Sequence, residues 1–222
     1  MTPLALIKLL NLTSPALPIG GYSYSQGLEW AIEKGGIDTP GTIQQWIHHV
    51  LAEAIGHTDL PALKKLFCAF KCADPDGVHY WNQWILASRE TQELTDEDRT
   101  VGKALLRLLK QQDITSELLP KSGDVSLITA WAFAGSYWKM PLEAAAIGFC
   151  WSWVENQIAV AGKTLPLAQS PAQSILSELM PVIEHTVTRG LSIPDDEIGQ
   201  SLPGWAMASA DHEMLYSRMF RS

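Results

Sequence analysis

Apolar residues recur along this chain at intervals of three and four, the spacing that gathers them on one face of a helix. Ile43, Trp46, Ile47, Val50, Leu51 and Ala54 form such a stripe. Leu63, Leu66, Phe67 and Phe70 form a second, and Trp81, Trp84 and Ile85 a shorter third. Ser126 to Trp138 and Pro141 to Ala161 are apolar over most of their circumference. The second of these predicts a helix at the centre of the molecule. No stretch alternates with period two beside hairpin turn residues. The pattern predicts an all-α protein, a single-domain bundle of roughly eight to ten helices spanning 1–222.

Punctuation residues divide the pattern. Thr2-Pro3 predicts a capped helix from about Leu4 to Leu12. Pro15, Pro18, Gly20 and Gly21 exclude a helix between Ser14 and Tyr22, and Ser23 with Gln26 has the spacing of a capping box for the next one. That helix is expected to stop at Gly35-Gly36, and Thr39-Pro40 to start the third. Gly56 to Pro61 reads as a break with Asp59 as a cap, and Asp74 to Gly77 as a turn. Thr95 and Asp98 suggest a capping box for a helix through Leu109. Gln111 to Gly123 is looser, yet too short and too apolar for an interdomain linker. Gly162 is expected to end the central helix and Ser170-Pro171 to start another, with Pro181 kinking or breaking it. Leu191 to Pro203, polar and acidic, reads as a mobile loop, and 204–222 as a closing tail that is itself able to move.

Composition narrows the function. A formal charge of -8 over 222 residues argues against nucleic acid, since phosphate recognition needs a basic field. Nine tryptophans are many for this length and suggest that some serve interfaces. Cys68, Cys72 and Cys150 are an odd, sparse set with no CxxC spacing, which suggests reduced thiols. The start of the chain has no signal-peptide pattern, and the longest apolar run, Ala144 to Val154, is too short to cross a bilayer. A cytoplasmic protein is expected.

Two motifs approach known chemistry and fall short. Gly162-Lys163-Thr164 ends like a phosphate-binding loop, but Gln157 stands where the earlier glycine must be. His212-Glu213 begins like a zinc-protease helix, but Tyr216 replaces the second histidine. Cys68 and Cys72 share a helical face and could hold a soft metal with Cys150; small buried cysteines are the commoner arrangement. No catalytic residue, cofactor or metal site is assigned.

Four stretches together resemble one family. Ser14 to Trp30 (SPALPIGGYSYSQGLEW) is similar to the signature of the urease accessory protein F (UreF) family. So are Arg89 to Leu94 (RETQEL), Lys163 to Gln169 (KTLPLAQ) with Gln173, and the terminus His212 to Ser222 (HEMLYSRMFRS). The resemblance implies a non-enzymatic helical homodimer that bridges UreD (also called UreH) and the GTPase UreG. Through that complex, nickel would be delivered to apo-urease. It further implies a C-terminal tail that orders with UreD.

On that resemblance, Tyr22 and Arg218 match residues that hold the arrangement, and His212, Glu213, Tyr216, Ser217 and Arg221 are added as partner-binding candidates. Tyrosine and arginine are favoured anchors at interfaces. Glu29 and Asp59 are candidates for an internal nickel passage, since carboxylates can hand on a divalent ion. Two rival readings stand beside this one: a regulator of the partner GTPase that inserts an arginine, and a helical enzyme with a small-molecule pocket.

Overall fold

A computed structural model describes residues 1–120, 123–165 and 167–221. Among them no strand occurs, and ten α-helices account for most of the chain. They are α1 (Pro3–Leu12), α2 (Leu28–Glu33), α3 (Pro40–His49), α4 (Leu60–Lys71), α5 (Pro75–Ala87), α6 (Gln92–Lys110), α7 (Leu127–Tyr137), α8 (Leu142–Thr164), α9 (Gln169–Gly190) and α10 (Pro203–His212).

The two apolar helices form the centre, which was expected of α8 alone. α7 buries every side chain from Ile128 to Gly135 and packs against α4, α5, α6 and α8. α8 meets α1, α2, α3, α4 and α9. Trp131 is buried at their junction, and its indole N–H donates to the Ala145 carbonyl at 3.0 Å, so the large ring carries no unpaired polar atom. Around this pair, Leu28, Ile47, Leu51, Leu63, Leu105 and Leu179 are all removed from solvent. Each contributes about 1.5–3 kcal/mol of hydrophobic burial.

The structure corrects several local expectations. Ser23 and Gln26 form no capping box. Gln26 has φ 53° and Gly27 φ 84°, so α2 opens only at Leu28. Gly56 to Pro61 is no break either: α3 continues through a π-helical stretch, Val50–Asp59, directly into α4. Pro61 has no N–H, which frees the His57 carbonyl one turn earlier, and that carbonyl accepts from Gly199 N at 2.9 Å. Asp59 caps nothing. Asp74 to Gly77 is the first turn of α5, with Asp74 accepting from Gly77 N.

α6 starts at Gln92 under a Thr91 cap, ahead of the Thr95–Asp98 pair. Asp98 is engaged elsewhere: its Oδ1 accepts from Leu127 N at 2.6 Å. That contact needs α6 and the start of α7 close together, and Gly102 permits it, since a Cβ there would lie 2.3 Å from the Val125 carbonyl oxygen. α8 runs past Gly162 to Thr164, whose hydroxyl donates to the Val160 carbonyl. α9 passes through Pro181 without interruption. Segment 191–202 is tied down by Lys64, which donates to the Leu191 carbonyl, and by the Gly199 bond to the π segment. Cys150 is buried, but Cys68 and Cys72 are exposed, so the expectation of three small buried cysteines fails for two of them.

Candidate functional site

The site forms where the first and last resemblance motifs meet. α2 is only six residues long and carries Glu29 in its first turn. Gly27, just before it, faces α10 so closely that a Cβ would lie 2.8 Å from Ser209 N. α10 therefore lies directly over the start of α2 and delivers the tail to it. At the other side, Thr91 caps α6 and its hydroxyl pairs with Ser209 Oγ at 2.8 Å, which fixes Glu93 in the first turn of α6 beside the same helix.

Glu29 is 7% exposed, and its carboxylate holds the tail. Oε1 accepts from Met219 N at 2.7 Å and Oε2 from Phe220 N at 3.0 Å. Oε2 also lies 3.0 Å from Nε2 of His212, a fully buried ring. The other ring nitrogen, Nδ1, is 2.8 Å from Glu93 Oε2. Each ring nitrogen therefore faces a carboxylate oxygen, and the tautomer decides which of them donates. Arg218 completes the set, donating to Glu93 Oε1 at 2.6 Å. Bonds to charged acceptors such as these are roughly twice as strong as neutral ones.

The tail then returns to the opening loop. Phe220 is buried, with Lys163 Nζ 5.4 Å from its ring centroid, and Arg221 N donates to the Ser23 carbonyl at 2.9 Å. The outer side of the tail is left to solvent. Tyr216 is fully exposed, Met214 is 85% exposed, and Glu213, Ser217, Arg218 and Arg221 are exposed as well. Of the candidate contact residues, His212 alone lies inside, where it holds the tail and offers no surface.

A cavity borders the opening loop to which this tail latch returns, and its wall includes Tyr22, Gln26, Asp59, Arg89, Glu97, Asp98 and Asn156. Arg89 is part of its lining. Its guanidinium donates to Asp59 Oδ1 at 2.7 Å and to Asp98 Oδ2 at 2.9 Å. Burial by itself would favour loss of its proton, but the charges of Asp59 and Asp98 more than offset this and hold it firmly cationic. Burial raises the pKa of Asp59, and Arg89 offsets that only in part.

A second cavity, lined by Trp84, Glu90, Gln200 and Ser201 among others, shares Asp59, Arg89, Leu94 and Trp205 with the first. Gln26 braces the wall: its amide donates to Glu97 Oε1 at 2.9 Å, its side-chain oxygen accepts from Trp153 Nε1 at 2.7 Å, and its carbonyl accepts from Trp205 Nε1 at 2.8 Å. Tyr22 is half-buried at the rim. Burial, then the neighbouring Glu155 carboxylate, pushes its pKa up to about 12.

Six of the sequence-selected residues thus belong to one construction or its edge: Tyr22, Glu29, Asp59, His212, Arg218 and Arg221. Gln26 and Asp98 were read from the sequence only as helix-capping residues, and Arg89 and Glu93 were given no role of their own, although both lie within the Arg89–Leu94 motif. Among the described residues, no group of three or more His, Cys, Asp or Glu side chains is arranged to hold a metal ion. Nor is any helix among them long and apolar enough to cross a membrane.

The fold and site define an all-helical protein whose ion-paired tail presents an exposed rim of aromatic, thioether and guanidinium groups. The family model UreF matches residues 37–180. A urease accessory protein UreF of Hahella chejuensis is 55% identical over 222 residues, all of both chains. That of Alkalilimnicola ehrlichii is 44% identical over 221 residues, 99% of this chain and 96% of its own. That of Teredinibacter turnerae is 44% identical over 217 residues, 98% of each. The chain belongs to the UreF family of urease accessory proteins.

Proposed function

We propose that this chain is a non-enzymatic adaptor in urease maturation, a homodimer in the cytoplasm that bridges UreD (UreH) and the GTPase UreG so that nickel reaches apo-urease. The observation that carries the reading is the tail. It is held by one buried carboxylate through two backbone N–H groups and a histidine, while Tyr216, Met214 and Met219 are left outward. Large apolar and aromatic side chains in solvent, beside Arg218 and Arg221, are what a protein-binding rim requires. Glu213 and Ser217 add polar contacts to that rim, and Tyr22 supports the loop to which the tail returns.

Asp59 fits a place on an internal route for nickel, because it lines both cavities. Glu29 joins such a route only when the tail lifts, since its oxygens are engaged by His212, Met219 and Phe220. The enzyme reading takes its support from the enclosed cavity. Against it, Arg89 ties up Asp59 and Asp98, and Gln26 holds Glu97, so the carboxylates described in its wall are all engaged.

Co-purification of the full chain with UreD and UreG tests the adaptor role. Both partners are expected to be retained. An Arg218→Ala chain is expected to lose part of the GTPase recruitment, and recruitment at full strength would remove the assigned role of that residue. Unaided turnover of a small molecule by the pure protein would overturn the reading as a whole.

A further inference from the structure

We propose that Cys68 and Cys72 form a two-thiolate site for a thiophilic divalent metal ion at the C-terminal end of α4. The proposal does not depend on the adaptor role. The two residues are one helical turn apart, and the Cys72 N–H donates to the Cys68 carbonyl at 2.9 Å, so the turn that carries them is closed and regular. Both side chains are exposed and accessible to an ion. The neighbouring Cys68 thiol raises the Cys72 pKa above its ordinary value. The carboxylate of Asp74 acts in the same direction and Lys71 against it.

Geometry separates a metal site from a disulfide. Side chains four apart on a helix have Cβ atoms about 5–6 Å apart, whereas a disulfide needs roughly 3.5–4.5 Å. Oxidation would therefore have to distort the last turn of α4. A metal bound at about 2.3 Å from each sulfur, with a tetrahedral angle, spans an S···S separation of roughly 3.8 Å and leaves the helix intact.

The electrostatics favour a cation. The C-terminal end of a helix carries partial negative charge, and the Asp74 carboxylate that disfavours a free thiolate attracts a divalent ion. Asp74 already accepts from Gly77 N through one oxygen, which fixes its orientation. Uptake is a ligand exchange without redox change: two S–H bonds break, two metal–sulfur bonds form, and both protons pass to solvent. Affinity should accordingly rise with pH.

Reduced full-length protein titrated anaerobically with Co²⁺ tests the site. One equivalent per chain is expected to give a thiolate-to-cobalt charge-transfer band that Zn²⁺ abolishes by displacement. Cys68→Ser and Cys72→Ser should each weaken binding by at least the roughly tenfold that loss of even an outer-sphere partner causes. Neither should change the thermal midpoint, because both side chains lie at the surface. Zn²⁺ should also shield two thiols from iodoacetamide, with buried Cys150 unreactive throughout. Absence of the band, binding that survives either serine substitution undiminished, or binding that requires Cys150 would overturn the proposal.

Discussion

Two clusters in this molecule place one charge against several opposite partners, and they are built for different purposes. In the interior, Arg89 joins Asp59, at the end of the π segment, to Asp98 on α6, with all three side chains nearly out of solvent. Its charge is permanent, and every partner belongs to a helix packed on the core. At the latch, Glu29 gathers His212 and two backbone N–H groups from a segment with little other anchorage, and Glu93 shares the histidine with an exposed Arg218. The first cluster joins helices that hydrophobic contact already holds. The second, with the burial of Phe220 and the Arg221 bond to Ser23, holds the tail, so the same chemistry there governs whether a segment is docked or released.

Replacement of Arg89 by methionine should have the largest effect. It strands two carboxylates in the interior, a loss of about 3–5 kcal/mol. For a chain of this size that is a fall of roughly 6–20 °C in thermal midpoint, read by calorimetry. A Glu29→Gln chain should behave differently. Its tail should open about 1.5–3 kcal/mol more readily, seen as faster amide exchange at Met219 and Phe220, with a smaller change in the global midpoint. Equal global losses in the two variants would erase the contrast.

Arg218→Ala removes a pair whose arginine side chain is 41% exposed. Its cost should be about 0.2–1 kcal/mol, confined to exchange rates in the tail.

Near neutral pH the smallest effect belongs to Tyr22, whose pKa is raised from 10.0 to about 12. Between those values the unfolded chain has lost this proton and the folded chain keeps it, so stability falls as pH rises from 10 to 12. Tyr22→Phe should make that decline shallower, read by denaturant unfolding at pH 10 and 12.

The helices were legible because burial imposes their period, and α1, α3, α5, α6 and α7 start under a Thr, Ser or Asp cap. Failures fell where distant packing overrode local chemistry. Gly56 and Pro61 are breakers by composition, yet the segment stays helical because Gly199 satisfies the carbonyl that Pro61 frees. Ser23 and Gln26 have capping spacing, but Gln26 is spent on Glu97 and Trp153. At the site, Glu29, His212 and Arg218 could each be selected from a motif. Glu93 could not be joined to them, because its contact with His212 spans 119 positions, and no spacing rule reaches that far. The exposure of Cys68 and Cys72 was hidden for a related reason: residue type suggests burial, but the outward face of α4 decides it.

Gln26 makes the opening loop a gauge for the rest of the molecule. One residue in a left-handed conformation touches α6, α8 and α10 at once, through the two ends of its amide and its own carbonyl. An asparagine there would be shorter by about 1.5 Å, one carbon–carbon bond, and could reach either α6 or α8 but not both. The length of a single side chain thus calibrates the alignment of three helices whose sequences are otherwise far apart.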